Sequence, residues 1–127
     1  MYNMVYLIGR LTNDPELNSL DNGKQVLTVT LAVQRGYKNS DGIYEADFIR
    51  CVLWDGVAER TSEYCKKGDL IAIRGQVRTS SYLDEKEEKK YITEILVEKI
   101  SFLATKQGTS DLDVAIEKTV KKPKKKD

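Results

Sequence analysis

Apolar side chains recur at every second position in several runs of this sequence, and residues typical of turns separate the runs. Such alternation places one set of side chains on each face of a strand. The pattern therefore predicts a β-rich domain. The first run, residues 5–11, is apolar on both faces, and a turn containing Pro15 ends it. The second, residues 24–35, has one aliphatic face formed by Leu27, Val29, Leu31 and Val33.

The third run, residues 46–54, has two unlike faces. One is aliphatic, whereas the other carries Phe48, Arg50 and Trp54. An arginine between two aromatic side chains suits base stacking combined with phosphate contact. The run alone leaves a second interpretation open, in which Phe48 and Trp54 are core residues of a strand buried on both faces.

Helical spacing replaces alternation over residues 57–67, with Asp55 as the predicted N-cap and Gly68 as the stop. The stripe expected to face the core consists of Val57, Thr61, Tyr64 and Cys65. Two more strands follow at residues 70–82 and 91–100, and the charged stretch between them predicts an exposed hairpin tip over residues 84–90.

A regular fourth strand would have two distinct faces. Its inward and outward sets would be Ile71, Ile73 and Val77, and Arg74, Gln76, Arg78, Ser80 and Tyr82, respectively. Five strands with a helix between the third and the fourth follow the order of an OB-fold, a partly open barrel whose second and third strands bind oligomers. The predicted fold class is therefore all-β, a five-stranded OB-fold barrel with one short helix.

Charge divides the chain into two parts. Residues 1–104, the predicted barrel domain, carry a net charge of −2, whereas residues 105–127, the predicted tail, carry +3. Because counterion release scales with the phosphates actually neutralised, any affinity of the barrel for nucleic acid must come from locally grouped cations and from non-ionic contacts.

Catalytic chemistry lacks its usual groups in this sequence. There is no histidine, and Cys51 and Cys65 are not spaced as a CxxC pair, which excludes histidine-based triads and most zinc sites. We expect no catalytic residue, metal or cofactor, and two buried, reduced thiols. Without a secretory signal or a run of about 20 apolar residues, the expected location is cytoplasmic.

Five stretches of the sequence resemble bacterial single-stranded DNA-binding proteins. They occur in order within residues 1–104 and read NMVYLIGRLTNDPEL, TLAVQRGYK, EADFIRCVLWDGVAE, SEYCKKGDLIAIRGQVRT and YITEILVEKISFL. The resemblance implies an OB-fold protein that binds and protects single-stranded DNA, without sequence preference, during replication, recombination or repair. It also implies a homotetramer that is associated with the nucleoid when bound to DNA.

Specific DNA contacts follow from the same resemblance. In that family bases stack on aromatic side chains, and the matching aromatic residues here are Tyr37, Phe48, Trp54 and Tyr82. A bulge at Gly36 would turn Tyr37 outward. The cations expected near these rings, and so the candidates for phosphate contact, are Arg35, Lys38, Arg50, Arg74 and Arg78. Among them Arg50 and Arg78 are favoured.

The second apolar face of the first strand predicts an oligomer interface formed by Met4, Tyr6 and Ile8. There the strand would pair with its copy across a two-fold axis and cover an open sheet edge. The alternative is that the helix or the N-terminal residues cover this face within one chain.

The C-terminus departs from the family. Its members usually have an acidic tail ending in Pro-Phe that recruits enzymes, whereas this chain ends in KKPKKKD, so recruitment by that route is not expected. Residues 110–120 have the spacing of a short amphipathic helix, and residues 121–126 include five lysines. The tail is either an appendage that adds phosphate contacts or a solubilising segment.

Three other classes of protein compete with this interpretation. An enzyme lacks the converging groups described above. An OB-fold replication or RNA-binding module would bind a different nucleic-acid substrate, such as RNA in place of single-stranded DNA. A barrel that only binds proteins would have its aromatic side chains packed.

Overall fold

A computed structural model of the chain describes residues 1–105, which form six strands and one helix. In chain order they are β1 (Val5–Leu11), β2 (Asn18–Ser19), β3 (Gln25–Lys38), β4 (Tyr44–Trp54), α1 (Asp55–Tyr64), β5 (Leu70–Leu83) and β6 (Lys89–Ala104). The helix predicted over residues 110–120 and the lysine-rich stretch lie outside the described residues. None of the helical structure within residues 1–105 is long and apolar enough to cross a membrane.

The five long strands close into a barrel in the order β1-β5-β6-β4-β3, and β1 pairs back onto β3 at Arg10 and Leu11. All pairings are antiparallel except the short one between β4 and β6. Closure depends on Gly9, because a side chain there would collide with the backbone carbonyl of Ala32 on β3. The helix follows the third long strand, so the predicted OB-fold is confirmed.

The hydrophobic core fills the barrel and follows the predicted alternation. On β3 and β4 the fully buried side chains include Leu27, Leu31 and Leu53, and Ile71 joins them from β5. The helix contributes Ala58 and Thr61 to this packing. The aliphatic faces predicted for β3 and β4 are therefore confirmed.

The start of the helix differs from the prediction. Asp55 is not an N-cap; it is the first residue of α1, which follows β4 without a break and has no side-chain cap. The Asp55 carboxylate instead accepts a hydrogen bond from the backbone N–H of Gln25, at 3.1 Å, and so joins the helix to the start of β3. The interpretation as a cap was wrong because this long-range contact takes the place of a local one.

The predicted helical stripe also needs correction. The helix ends at Tyr64 rather than continuing to residue 67, and Tyr64 is exposed, whereas Ala58 is buried in the core. Cys65 closes the last turn by donating its backbone N–H to the carbonyl of Thr61.

The predicted inward position of Val77 is wrong, since this side chain is exposed. The strand β1 pairs with β5 only as far as Gly75, so no residue of β1 lies beside Val77, although its partner Ile95 is still paired with β4 and buried. From Arg78 and Glu94 onward, β5 and β6 project beyond the barrel as a two-stranded arm. The side-chain amide of Asn3 exchanges two hydrogen bonds of 2.8 Å with the backbone of Val77 and thereby supports the base of the arm.

Both cysteines are free and buried, as predicted. Burial raises the pKa of the Cys51 thiol to about 12. The thiol therefore stays protonated at physiological pH and behaves as a small apolar side chain.

Candidate nucleic-acid interface

The outer face of β4 carries two aromatic side chains that lie outside the core. Phe48 and Trp54 are 40% and 38% exposed, and Arg50 lies between them in sequence on the same face. The alternative interpretation of Phe48 and Trp54 as core residues is wrong. Because strand residues rise about 3.3 Å each, the two rings are separated by roughly 20 Å along β4 and form separate platforms.

Trp54 forms one wall of a cleft between β4 and the arm, with a volume of about 430 Å³. Arg78 lies in the same cleft, whose apolar lining comes from Val52 and Leu96. A cleft with a stacking wall, an apolar lining and a guanidinium offers a nucleobase both a packing surface and a nearby partner for its phosphate.

The remaining two aromatic candidates, Tyr37 and Tyr82, are also exposed, one near the end of β3 and the other near the tip of the arm. Tyr37 is 67% exposed near the end of β3, where the ladder with β4 shifts register between Gln34 and Lys38, so the predicted bulge is confirmed. Tyr82 is 51% exposed near the tip of the arm. All four predicted rings are thus accessible to a ligand, which does not fit a barrel with packed aromatic residues.

The predicted cations differ in how free they are. Arg35 is held by two carboxylates, with its guanidinium 2.8 Å from Asp47 and 3.2 Å from Glu45. The hydrogen bond from Arg35 lowers the pKa of Asp47, so this pair remains ionised at neutral pH. The Lys38 ammonium lies 5.5 Å from the centre of the Tyr44 ring, a cation–π distance.

Of the other three predicted arginines, Arg50 and Arg74 are paired with carboxylates and Arg78 is not. Arg50 donates from its Nε to Glu94 at 3.0 Å, and Arg74 lies 3.8 Å from Glu98. Arg74 is directly opposite Tyr6 of β1, beside the predicted oligomer face, and is not among the residues that line the Trp54 cleft. Arg78 makes no ion pair within residues 1–105, so among the four predicted arginines it is the one most available to a phosphate.

Sequence reasoning missed the acidic partners and one cation. Glu94 and Lys24 line the Trp54 cleft, yet neither stands out in the sequence. Glu94 belongs there because it lies directly opposite Arg78 in the β5–β6 ladder. Only the register of the hairpin reveals this pairing.

The predicted interface residues Met4, Tyr6 and Ile8 are all exposed, Met4 just before β1 and the other two on its outer face. No part of the described chain covers this face, so the alternative in which the helix or N-terminal residues do so is wrong. The edge of β1 opposite β5 meets β3 at Arg10 and Leu11, and Gly9 is packed against Ala32, which leaves Val5 to Ile8 open for another strand.

An OB-fold barrel whose outer surface presents accessible aromatic and arginine side chains falls in the class of oligonucleotide-binding barrels. Within that class, the sequence matches the Single-strand binding protein family over residues 2–103, and the chain belongs to this family.

Several characterised relatives are similar over most of this chain. It is 44% identical to "Single-stranded DNA-binding protein B" of Bacillus subtilis (strain 168) over 84% of this chain and 94% of the relative. It is 47% identical to "Single-stranded DNA-binding protein 3" of Listeria innocua over 85% of this chain and 68% of the relative. With "Single-stranded DNA-binding protein A" of Bacillus subtilis the identity is 44%, and the match spans 85% of this chain but only 63% of that longer relative.

Proposed function

We propose that this protein binds single-stranded DNA without sequence preference. Bases stack on Tyr37, Phe48, Trp54 and Tyr82, while phosphates are paired chiefly by Arg50 and Arg78. The observation that carries the proposal is the exposure of Phe48 and Trp54 on the outer face of β4, outside the core. Stacking tolerates every base because each has a π-face, and a stacked base contributes about 1–3 kcal/mol. The relatives named above are single-stranded DNA-binding proteins.

The spacing of the rings suits an extended strand better than a compact ligand. Phe48 and Trp54 are far enough apart that their contributions are expected to be nearly additive. A strand that follows β4 from Phe48 to Trp54 reaches the cleft at Arg78, and Tyr82 lies about 13 Å further along the arm. The contacts of Arg35, Lys38 and Arg74 are secondary in this arrangement, because none of the three lines the Trp54 cleft. Arg35 is also held by two carboxylates, and Arg74 lies opposite Tyr6 of β1.

In the cell this activity covers and protects single strands exposed in replication, recombination or repair. The protein acts by binding and not by catalysis, since stacking and ion pairing alone account for the site and require no cofactor or metal. We place it in the cytoplasm, on the nucleoid when DNA is bound.

The working form is a homo-oligomer, and the family resemblance favours a tetramer. The exposed stripe of Met4, Tyr6 and Ile8 supports this proposal, because three adjacent apolar side chains beside an open strand edge are rarely left uncovered. Pairing of β1 with its copy across a two-fold axis would bury both features at once.

Competition for a labelled oligo(dT) tests the proposed binding mode. Unlabelled single strands of unrelated sequence are expected to displace it at similar concentrations, whereas a duplex should need at least about 100-fold more, because its bases are stacked inside the helix. A strong preference for one sequence, or equal competition by duplex, would contradict the proposal. Better competition by RNA of matching sequence would favour the second candidate, an OB-fold module for RNA.

A further inference from the structure

A carboxylate lies where the proposed DNA strand passes. The side chain of Glu94 is mostly buried, lines the Trp54 cleft, and lies directly opposite Arg78 on the arm. Its Oε2 accepts a hydrogen bond from Nε of Arg50 at 3.0 Å. A negative group is unfavourable beside a phosphodiester, so its place at the centre of this surface calls for a role.

The contact between the two side chains uses only part of the arginine. Arg50 pairs through Nε alone, and its terminal nitrogens make no hydrogen bond to residues 1–105. The guanidinium is therefore oriented by Glu94 while two of its nitrogens remain available to a phosphate. The Glu94 carboxylate partly offsets the charge of the Arg50 guanidinium and at the same time holds that guanidinium in place.

We propose that Glu94 limits the affinity of this protein for single-stranded DNA by partly neutralising Arg50 in the bound complex. This inference rests on the proposed function. A phosphate held by the free side of Arg50 would lie near the Glu94 carboxylate, and like charges at close range repel each other, less strongly as salt screens them.

The ion pair of Arg50 with Glu94 differs from the surroundings of the other arginines on this surface. Arg35 is fixed by two carboxylates and is the less available cation, whereas Arg78 has no acidic partner within residues 1–105. Arg50 lies between these extremes, with one partner and about half of its side chain exposed. Its contribution is therefore the one that a single carboxylate can adjust.

Substitution of Glu94 with glutamine tests the proposal, because the amide oxygen still accepts from Arg50 Nε while the charge is removed. Binding of oligo(dT) should tighten about two- to fivefold in 0.1 M salt and become equal to wild type in 1 M salt, where the Debye length falls to about 3 Å. Glu63→Gln on α1 removes the same charge away from the cleft, and its affinity should match wild type.

A double-mutant cycle with Arg50→Gln shows whether Glu94 acts through Arg50. In that background Glu94→Gln should give little or no gain. Unchanged or weaker binding by Glu94→Gln at 0.1 M salt, a gain that persists at 1 M salt, or an equal gain without Arg50 would each overturn the inference. Failure of the proposed function is distinguishable, since wild type would then not bind oligo(dT) at all.

Discussion

Replacing Trp54 with alanine is expected to weaken the binding of oligo(dT) about 5- to 150-fold, the loss of one stacked base at 1–3 kcal/mol. The ring lies outside the core and forms a wall of the cleft that also holds Arg78, so its removal takes away a contact surface and leaves the barrel intact. Fluorescence anisotropy of a labelled oligonucleotide measures the affinity. Trp54→Phe should retain most of it, because the smaller ring still stacks.

Tyr64→Ala provides the matched control, since Tyr64 is an aromatic residue exposed on α1, away from the proposed interface. Its affinity should equal that of wild type. Urea unfolding of the variants separates binding from stability. If Trp54→Ala binds normally while its unfolding midpoint falls sharply, Trp54 serves the fold and the proposed interface is wrong.

Ile8→Glu is expected to convert the proposed oligomer into smaller species, with the mass approaching the 14.5 kDa of one chain. Ile8 is exposed on the outer face of β1 beside the open strand edge. Pairing of two copies there would bury two glutamates near the symmetry axis, and an unpaired buried charge costs several kcal/mol. Light scattering coupled to size exclusion gives the mass directly.

Leu20→Glu is the control for this change, since Leu20 is also an exposed apolar residue but lies in the turn before β3. It should leave the oligomer unchanged. An Ile8→Glu protein with the mass of wild type would show that β1 is not the interface. The isolated subunit should still fold, because its core does not include Ile8.

Strand faces could be predicted because their period is local. The alternation on β3 and β4 correctly placed Leu31 and Leu53 on one face and Phe48 and Trp54 on the other, but it left open whether the aromatic face was buried as well. Gly36 correctly indicated a bulge before Tyr37. A side chain's face depends on its neighbours in sequence, and no tertiary contact is needed to assign it. The choice of the four rings as stacking residues came from the family resemblance and not from the alternation, which gives Tyr37 the same parity as Leu31.

Cross-strand partners could not be predicted in the same way. The charged stretch suggested a tip over residues 84–90, whereas the strands extend to Leu83 and Lys89 and the hairpin is centred on residue 86. Moving the centre by one residue changes every cross-strand partner by two. The pairing of Arg78 with Glu94, and with it the acidic group in the cleft, was therefore invisible in the sequence.

Tertiary contacts also decided the remaining differences. Asp55 has the residue type and spacing of a cap, but β4 continues directly into α1. The Asp55 carboxylate instead accepts a hydrogen bond from the backbone N–H of Gln25. Val77 has the parity of a core residue, but β1 pairs with β5 only as far as Gly75 and leaves this side chain exposed. Both cases depend on where other strands end, which local patterns do not record.

Trp54 is the only tryptophan in the chain, so its fluorescence reports directly on the central claim. Titration of the protein with poly(dT) should quench this emission, because a base stacked on the exposed indole interacts with its excited state, and the signal should saturate at a defined ratio of nucleotides to protein. Unchanged emission at concentrations where anisotropy shows that DNA is bound would contradict the account, since the strand would then pass elsewhere on the barrel.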